Sequence, residues 1–120
     1  MNQLILPNEL RVGNVLMCIK DKKPMHFIID AEDILHCEKD TKAFSKRYKR
    51  VPLTPKILLE IGFQQRYSPR SREFHLHDRM IIFDENGAFD YAARTRLPYL
   101  HTLQNFIYFV EGIELTINLK

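Results

Sequence analysis

The chain has 120 residues, of which 45% are hydrophobic and 28% are charged, and its net charge is +3. This balance is typical of one soluble globular domain and argues against a disordered chain. No apolar run approaches the roughly 20 residues that span a bilayer, and residues 1–7 lack the pattern of a secretory signal, so we expect a cytoplasmic protein. Cys18 and Cys37 are too far apart in sequence to define a metal or redox motif, and we expect both to be reduced.

The N-terminal part predicts a β-hairpin unit over about residues 9–37. After a short leader at residues 2–7, Gly13 marks a turn, residues 15–19 form a strand and residues 25–30 form the returning strand. Residues 31–37 fit either a further strand or one turn of helix, and we interpret them as a strand. Residues 38–50 are rich in cations and poor in apolar residues, so we predict an exposed basic loop there.

The next segment, residues 51–63, predicts a short helix. Thr54 is a suitable N-cap because its hydroxyl can accept a hydrogen bond from a free N–H of the first turn, and Pro55 suits the first helical position. Gly62 is expected to end the helix, with Phe63 folding back onto Leu58.

The C-terminal part predicts strands at residues 74–77, 80–83 and 89–92, and the Asn86-Gly87 pair predicts a type I′ hairpin turn between the last two. A long helix is predicted between Pro98, in its first turn, and Gly112, just past its end. Residues 114–119 alternate like an edge strand. It stays open whether that strand pairs within the chain or with a second copy.

The long helix carries an apolar stripe of Leu100, Leu103, Ile107 and Val110, which we expect to pack on the sheet. A polar stripe lies beside it and is formed by His101, Gln104, Asn105 and Tyr108. These side chains could form a recognition surface, or they could satisfy backbone groups of the segment at residues 51–54. We favour the structural interpretation, because buried polar groups must be paired in any protein.

The basic loop, about residues 38–50, is the candidate nucleic-acid site, since mobile cations contact phosphates and exposed rings stack on bases. We assign the phosphate contacts to Lys42, Lys46, Arg47, Lys49 and Arg50. The alternative is a solvated loop that keeps the protein soluble, and the modest net charge favours that alternative.

The sequence contains none of the common catalytic or nucleotide-binding motifs, so we predict a protein that is not an enzyme and uses no cofactor. His75 and His77 lie on one face of a predicted strand and are a candidate metal pair. No spacing rule supplies further ligands, and we predict solvent-facing histidines and no metal.

Three segments in order carry a resemblance to a protein family. They are Glu9-Leu10-Arg11-Val12-Gly13-Asn14, then Val51-Pro52-Leu53-Thr54 with Leu58-Leu59 and Gly62-Phe63, then Tyr99-Leu100-His101 with Leu103-Gln104-Asn105, Tyr108-Phe109, Gly112 and Glu114-Leu115. The chain resembles small uncharacterised proteins of Bacteroidetes genomes and their phages and mobile elements, in which "ELRIGN", "IPLTEEWLLKLGF" and "VHQLQNLYFALTGEEL" recur. The resemblance implies an accessory role and no established activity. This chain departs from the pattern at Thr54-Pro55-Lys56 and in its more basic loop.

Together these patterns predict a single α+β domain with a small antiparallel sheet, one long amphipathic helix and one short capped helix, in which residues 51–120 form a helix-hairpin-helix-strand unit. The predicted function is a non-enzymatic binding or adaptor protein acting through protein contacts. The alternative is a protein that binds the nucleic-acid backbone through the basic loop.

Overall fold

The computed structural model describes residues 4–20, 22–68, 70–115, 117 and 119. It is an α+β fold with two antiparallel sheets. Within these residues the helices are α1 (Ala31–Lys39), α2 (Thr41–Arg47), α3 (Pro55–Glu60) and α4 (Leu100–Glu111), preceded by a 3-10 turn at Pro7–Glu9. One sheet has the order β2-β1-β3, formed by β1 (Val15–Lys20), β2 (Lys23–Ile28) and β3 (Tyr48–Lys49). The other runs in chain order through β4 (Gln64–Gln65), β5 (Glu73–Leu76), β6 (Arg79–Asp84), β7 (Gly87–Asp90) and β8 (Thr95–Arg96).

The predicted N-terminal hairpin is confirmed, but residues 31–37 belong to helix α1 and not to a strand. The reason is a capping box. The Asp30 carboxylate accepts from the Asp33 N–H at 3.0 Å, and the Asp33 carboxylate accepts from the Asp30 N–H at 2.9 Å. Ile34 and Cys37, three residues apart, then pack on one side of the helix.

The prediction of an exposed loop at residues 38–50 is wrong, because most of this stretch is helical. Asp40 caps α2 by accepting from the Ala43 N–H at 3.1 Å, and Phe44 and Tyr48 are buried. Their rings pack 4.6 Å apart in a small core that also holds Ile5. Ile5, which the sequence placed in a leader, is therefore packed against this helix, and its N–H donates to the Ser45 hydroxyl at 2.8 Å.

Strand β1 lies between the two hydrophobic cores. Val15 and Met17 contact the larger core, which also contains α3, α4 and the five-stranded sheet. Leu16 and Cys18 contact the smaller core under α1 and α2. Because neighbouring side chains on a strand point to opposite faces, β1 supplies both cores at once.

Strand β2 is one of the two outer strands of its sheet and is exposed along its whole length. Ile29 directs both its N–H and its carbonyl toward β1, through bonds with Asn14 and Gly13 of 3.0 Å each. By alternation the backbone of Pro24 faces outward, where a proline removes no bond with β1. Lys23, Met25 and Phe27 share the face that carries Leu16 and Cys18.

The short helix α3 is confirmed with its predicted ends. The Thr54 hydroxyl accepts from the Ile57 N–H at 3.2 Å, and Pro55 is the first helical residue. At the other end Gly62 has φ of +110°, and the Phe63 N–H donates to the Leu58 carbonyl at 2.9 Å, as in a Schellman motif.

The hairpin between β6 and β7 is also confirmed, but its turn differs from the prediction. Asp84 pairs with Gly87, so Glu85 and Asn86 are the two central residues of the turn, and neither has a positive φ; only Gly87, which follows them, does, with φ of +105°. A type I′ turn needs positive φ at both central residues, so the type I′ prediction is wrong.

Helix α4 begins later than predicted. Tyr99 is its N-cap, so Pro98 precedes the helix, and Gly112 ends it with φ of +71°. Leu100, Leu103 and Ile107 are buried as expected, whereas Val110 is 45% exposed because the last turn of the helix extends past the core.

The predicted strand at residues 114–119 includes Thr116 and Asn118, which lie outside the described residues, although Leu115, Ile117 and Leu119 pack on the larger core. In the described ranges no helix is long and apolar enough to cross a bilayer.

Replacing Phe44 tests whether residues 41–47 are packed. We expect Phe44→Ala to lower the free energy of unfolding by about 3–5 kcal/mol, since a fully buried ring leaves a cavity. The matched control is Lys42→Ala on the exposed side of α2, which should change it by less than about 0.5 kcal/mol. Chemical denaturation measures both, and equal effects would contradict a packed α2.

Candidate binding cleft

The predicted polar stripe of α4 holds the N-terminal segment, residues 9–15, in place. Gln104 is buried, its side-chain N–H donates to the Gly13 carbonyl at 2.9 Å, and its carbonyl accepts from the Val15 N–H at 2.8 Å. Asn105 donates to the Glu9 carbonyl at 2.9 Å and accepts from the Asn14 amide at 2.7 Å. The structural interpretation is therefore confirmed for these two side chains. Their predicted partners were wrong, because they bind residues 9–15 and not residues 51–54.

Buried His101 belongs to an ionic network with half-buried Glu9 and Arg50. Its Nε2 lies 3.0 Å from a carboxylate oxygen of Glu9, and the same carboxylate accepts from the Arg50 Nε at 2.8 Å and Nη2 at 3.0 Å. Since a carboxylate only accepts, Nε2 of His101 carries the proton in this contact. Arg50 also donates to the Leu4 carbonyl at 2.6 Å and lies over the Tyr99 ring.

Tyr108 is the exposed member of the stripe. The Arg11 guanidinium lies 3.9 Å from the centre of its ring, and Arg11 also forms an ion pair with Glu114. All four residues predicted as a polar face therefore contact the N-terminal segment, and Tyr108 does so from the surface.

The five predicted phosphate-binding cations do not form one surface. Arg50 is held by Glu9, and the Lys49 ammonium donates to the Ser45 carbonyl at 2.8 Å. Lys42, Lys46 and Arg47 are exposed on α2, and none of them forms an ion pair with a described residue. The prediction is thus wrong for Arg50 as a mobile cation.

The candidate histidine pair is split by a turn. His75 is half-buried in β5, whereas His77 lies in the turn after β5 with φ of +53°. Among the described residues no three histidine, cysteine or carboxylate side chains are grouped to hold a metal ion.

A cleft of about 650 Å³ lies beside the first three turns of α4. Part of its lining is the helix face of Thr102, Phe106 and Phe109, and another part is the 3-10 turn with Asn8 and Glu9. The remaining lining comes from the segment before α4, from the ionic network and from Asn105 of α4; the residues of the first two are Thr95, Leu97, Pro98, Tyr99, Arg50 and His101. This cleft was not predicted from the sequence, although Thr102, Phe106 and Phe109 recur at helical spacing.

The ionic network of Glu9, Arg50 and His101, which forms the polar base of the cleft, is electrically balanced. Burial alone would raise the pKa of Glu9, but hydrogen bonds from Arg50, from the Leu6 N–H and from His101 keep that pKa below its ordinary value. Burial lowers the pKa of His101 despite the opposing contact with Glu9. At neutral pH the base therefore holds one anion, one cation and a neutral imidazole, and it offers no net charge to a ligand.

Searches against protein-family models, curated protein sequences and solved structures find no match to this chain. The cleft must therefore be interpreted from its own chemistry.

The buried imidazole makes stability depend on pH. Because the folded protein lowers the pKa of His101 from 6.5, the unfolded chain binds more protons as pH falls below that value, and stability decreases. We expect the melting temperature to fall from about pH 7 to about pH 5, and to fall less for His101→Gln, which keeps a donor toward Glu9. The contribution of Glu9 is lost only below its ordinary value of 4.5, outside this window. Identical pH profiles for both proteins would contradict a buried neutral His101.

Proposed function

We propose that the protein is a non-enzymatic binding or adaptor protein whose cleft receives a short, uncharged apolar segment of another protein. The resemblance to proteins of phages and mobile elements supports an accessory role of this kind. The proposal depends on one observation, the exposed aromatic wall of the cleft.

Phe109 is the aromatic residue on which the proposed binding depends, because it lines the cleft and is 88% exposed. Phe106 and Tyr99, both half-buried, extend the apolar lining, and exposed Pro98 continues it. Contiguous exposed apolar surface next to a cleft is typical of an interaction site, and buried aromatic anchors dominate the binding energy of such sites.

The polar groups of the cleft favour an uncharged segment. Glu9 and Arg50 neutralise each other, so neither a carboxylate nor an ammonium group gains a free opposite charge. Asn8 and Thr102 have side chains without a hydrogen-bond partner in the described part of the chain, and both line the cleft. They are suited to bind the N–H and carbonyl groups of a peptide backbone.

Selection from a displayed random-peptide library tests the cleft. We expect the selected peptides to be rich in uncharged aromatic and aliphatic residues. Phe109→Ala should weaken their binding by about 30-fold, equivalent to roughly 2 kcal/mol, because it removes the anchoring ring. Thr102→Arg should block the cleft.

The control for this experiment is Leu59→Arg, at an exposed apolar position on α3 that does not line the cleft, and it should leave affinity unchanged. Fluorescence anisotropy with the selected peptides measures all four proteins. Charged peptides, or binding that survives Thr102→Arg, would refute the cleft as the binding site.

A second candidate function is binding of the nucleic-acid backbone. It is supported by Lys42, Lys46 and Arg47, which project from α2 without a carboxylate partner among the described residues. Such cations contact phosphates and carry little sequence information.

Salt dependence tests this second candidate. About three phosphate contacts predict that affinity for a duplex falls roughly 40-fold between about 50 mM and about 200 mM salt. Changing the three residues to glutamine should abolish that dependence. A flat salt response in the unchanged protein would eliminate this candidate.

A further inference from the structure

We propose that the exposed face of β2, next to the C-terminal end of α2, binds single-stranded nucleic acid, with a base stacked on Phe27 and phosphates held by nearby cations. This proposal rests on the second candidate function and extends it to a defined kind of ligand.

Sheet register brings the two parts of this surface together. Tyr48 on β3 is the Cα partner of Cys18 on β1, and Cys18 is the partner of Met25 on β2. These three residues form one row across the sheet, so about 10 Å separates the outer strands. Arg47 directly precedes Tyr48, and Lys23 lies two residues before Met25 on the same face of β2. Cations from segments far apart in sequence therefore flank one end of the sheet.

A set of stacked side chains links the cations to the apolar face. The Arg47 guanidinium lies 5.4 Å from the centre of the Tyr48 ring, and the Tyr48 ring is 5.5 Å from the Phe27 ring. Tyr48 in turn packs against buried Phe44. Phe27 and Arg47 are thus supported from below by a fixed aromatic residue, which reduces the loss of freedom when either one binds a ligand.

The surface of β2 is better suited to stacking with a nucleic-acid base than to pairing with a β-strand of another protein. Phe27 is 41% exposed and Met25 is 55% exposed, which leaves an apolar surface on β2. The backbone of Pro24 faces outward and lacks an N–H, so an added strand would lose a hydrogen bond at that position. A stacked base needs only the face of a ring, and cations beside the ring supply phosphate contacts.

Charge along β2 sets where the phosphates lie. Lys23 is at the end of β2 nearest Arg47, the residue that follows Lys46 in the chain, whereas Asp30 and Asp33 follow the opposite end of the strand. Those two carboxylates are already engaged in the cap of α1. We therefore place the phosphates at the hairpin end of the sheet and the base over Phe27. A duplex keeps its bases stacked and paired, so it cannot offer a free base face to this ring.

The test measures binding of the full chain to fluorescein-labelled oligothymidylate of about 15 nucleotides and to a duplex of equal length. The single strand should bind more tightly. Phe27→Leu keeps apolar bulk against Tyr48 but removes the ring, and it should weaken binding to the single strand between about 5-fold and about 150-fold. Phe27→Trp should restore or increase affinity. Combined Lys46→Gln and Arg47→Gln changes should reduce the salt slope by about 1.4, since each phosphate contact on a single strand contributes roughly 0.7.

Phe109→Leu, in the cleft, is the matched control and should bind oligothymidylate like the unchanged protein. Equal affinity of Phe27→Leu and the unchanged protein, or tighter binding of the duplex, would overturn the single-strand proposal. If the single-strand proposal fails in this way, a reduced salt slope for the Lys46 and Arg47 variant would still support binding of the nucleic-acid backbone. Absence of binding at low salt would refute both.

Discussion

The side chain of Gln104 is the contact on which the arrangement of the two sheets depends. Its amide bridges the Gly13 carbonyl and the Val15 N–H, and so it joins the start of β1 to the middle of α4. The Val15 N–H is buried, and leaving it unpaired would cost about 1–3 kcal/mol, while the Gly13 carbonyl is half-buried. A glutamine of this reach satisfies both at once. Asn105, one residue further on, secures Glu9 and Asn14 in the same way.

The cleft is a result of that docking. Asn8 and Glu9 form one wall only because the chain that follows them is bound to α4, and Arg50 is drawn to the base by the Glu9 carboxylate. The polar residues of α4 therefore hold the N-terminal residues in place, and the surface left for a ligand is the neighbouring helix face with Phe109. The polar stripe and the binding surface are adjacent but have different roles.

Local rules in the sequence were sufficient where the signal lay within a few residues. Thr54-Pro55 and Gly62-Phe63 defined both ends of α3, because caps depend on neighbouring groups. Local rules were insufficient where packing between distant segments decided the structure. Helix α2 is an example, because it is rich in cations but buries Phe44. The Asp30–Asp33 capping box was detectable in the sequence and was missed. The cleft was not predictable, because its walls come from segments about 90 residues apart.

The position of β1 between the two cores determines how the protein unfolds. Since Val15 and Leu16 are adjacent in the chain yet belong to different cores, neither core can open without disturbing the strand that completes the other. Partial melting confined to one half is therefore disfavoured, and we expect denaturation to occur as one cooperative event. A cut within the chain after residue 50 would leave an N-terminal fragment whose β1 still needs the α4 amides, so the two pieces should regain structure only together.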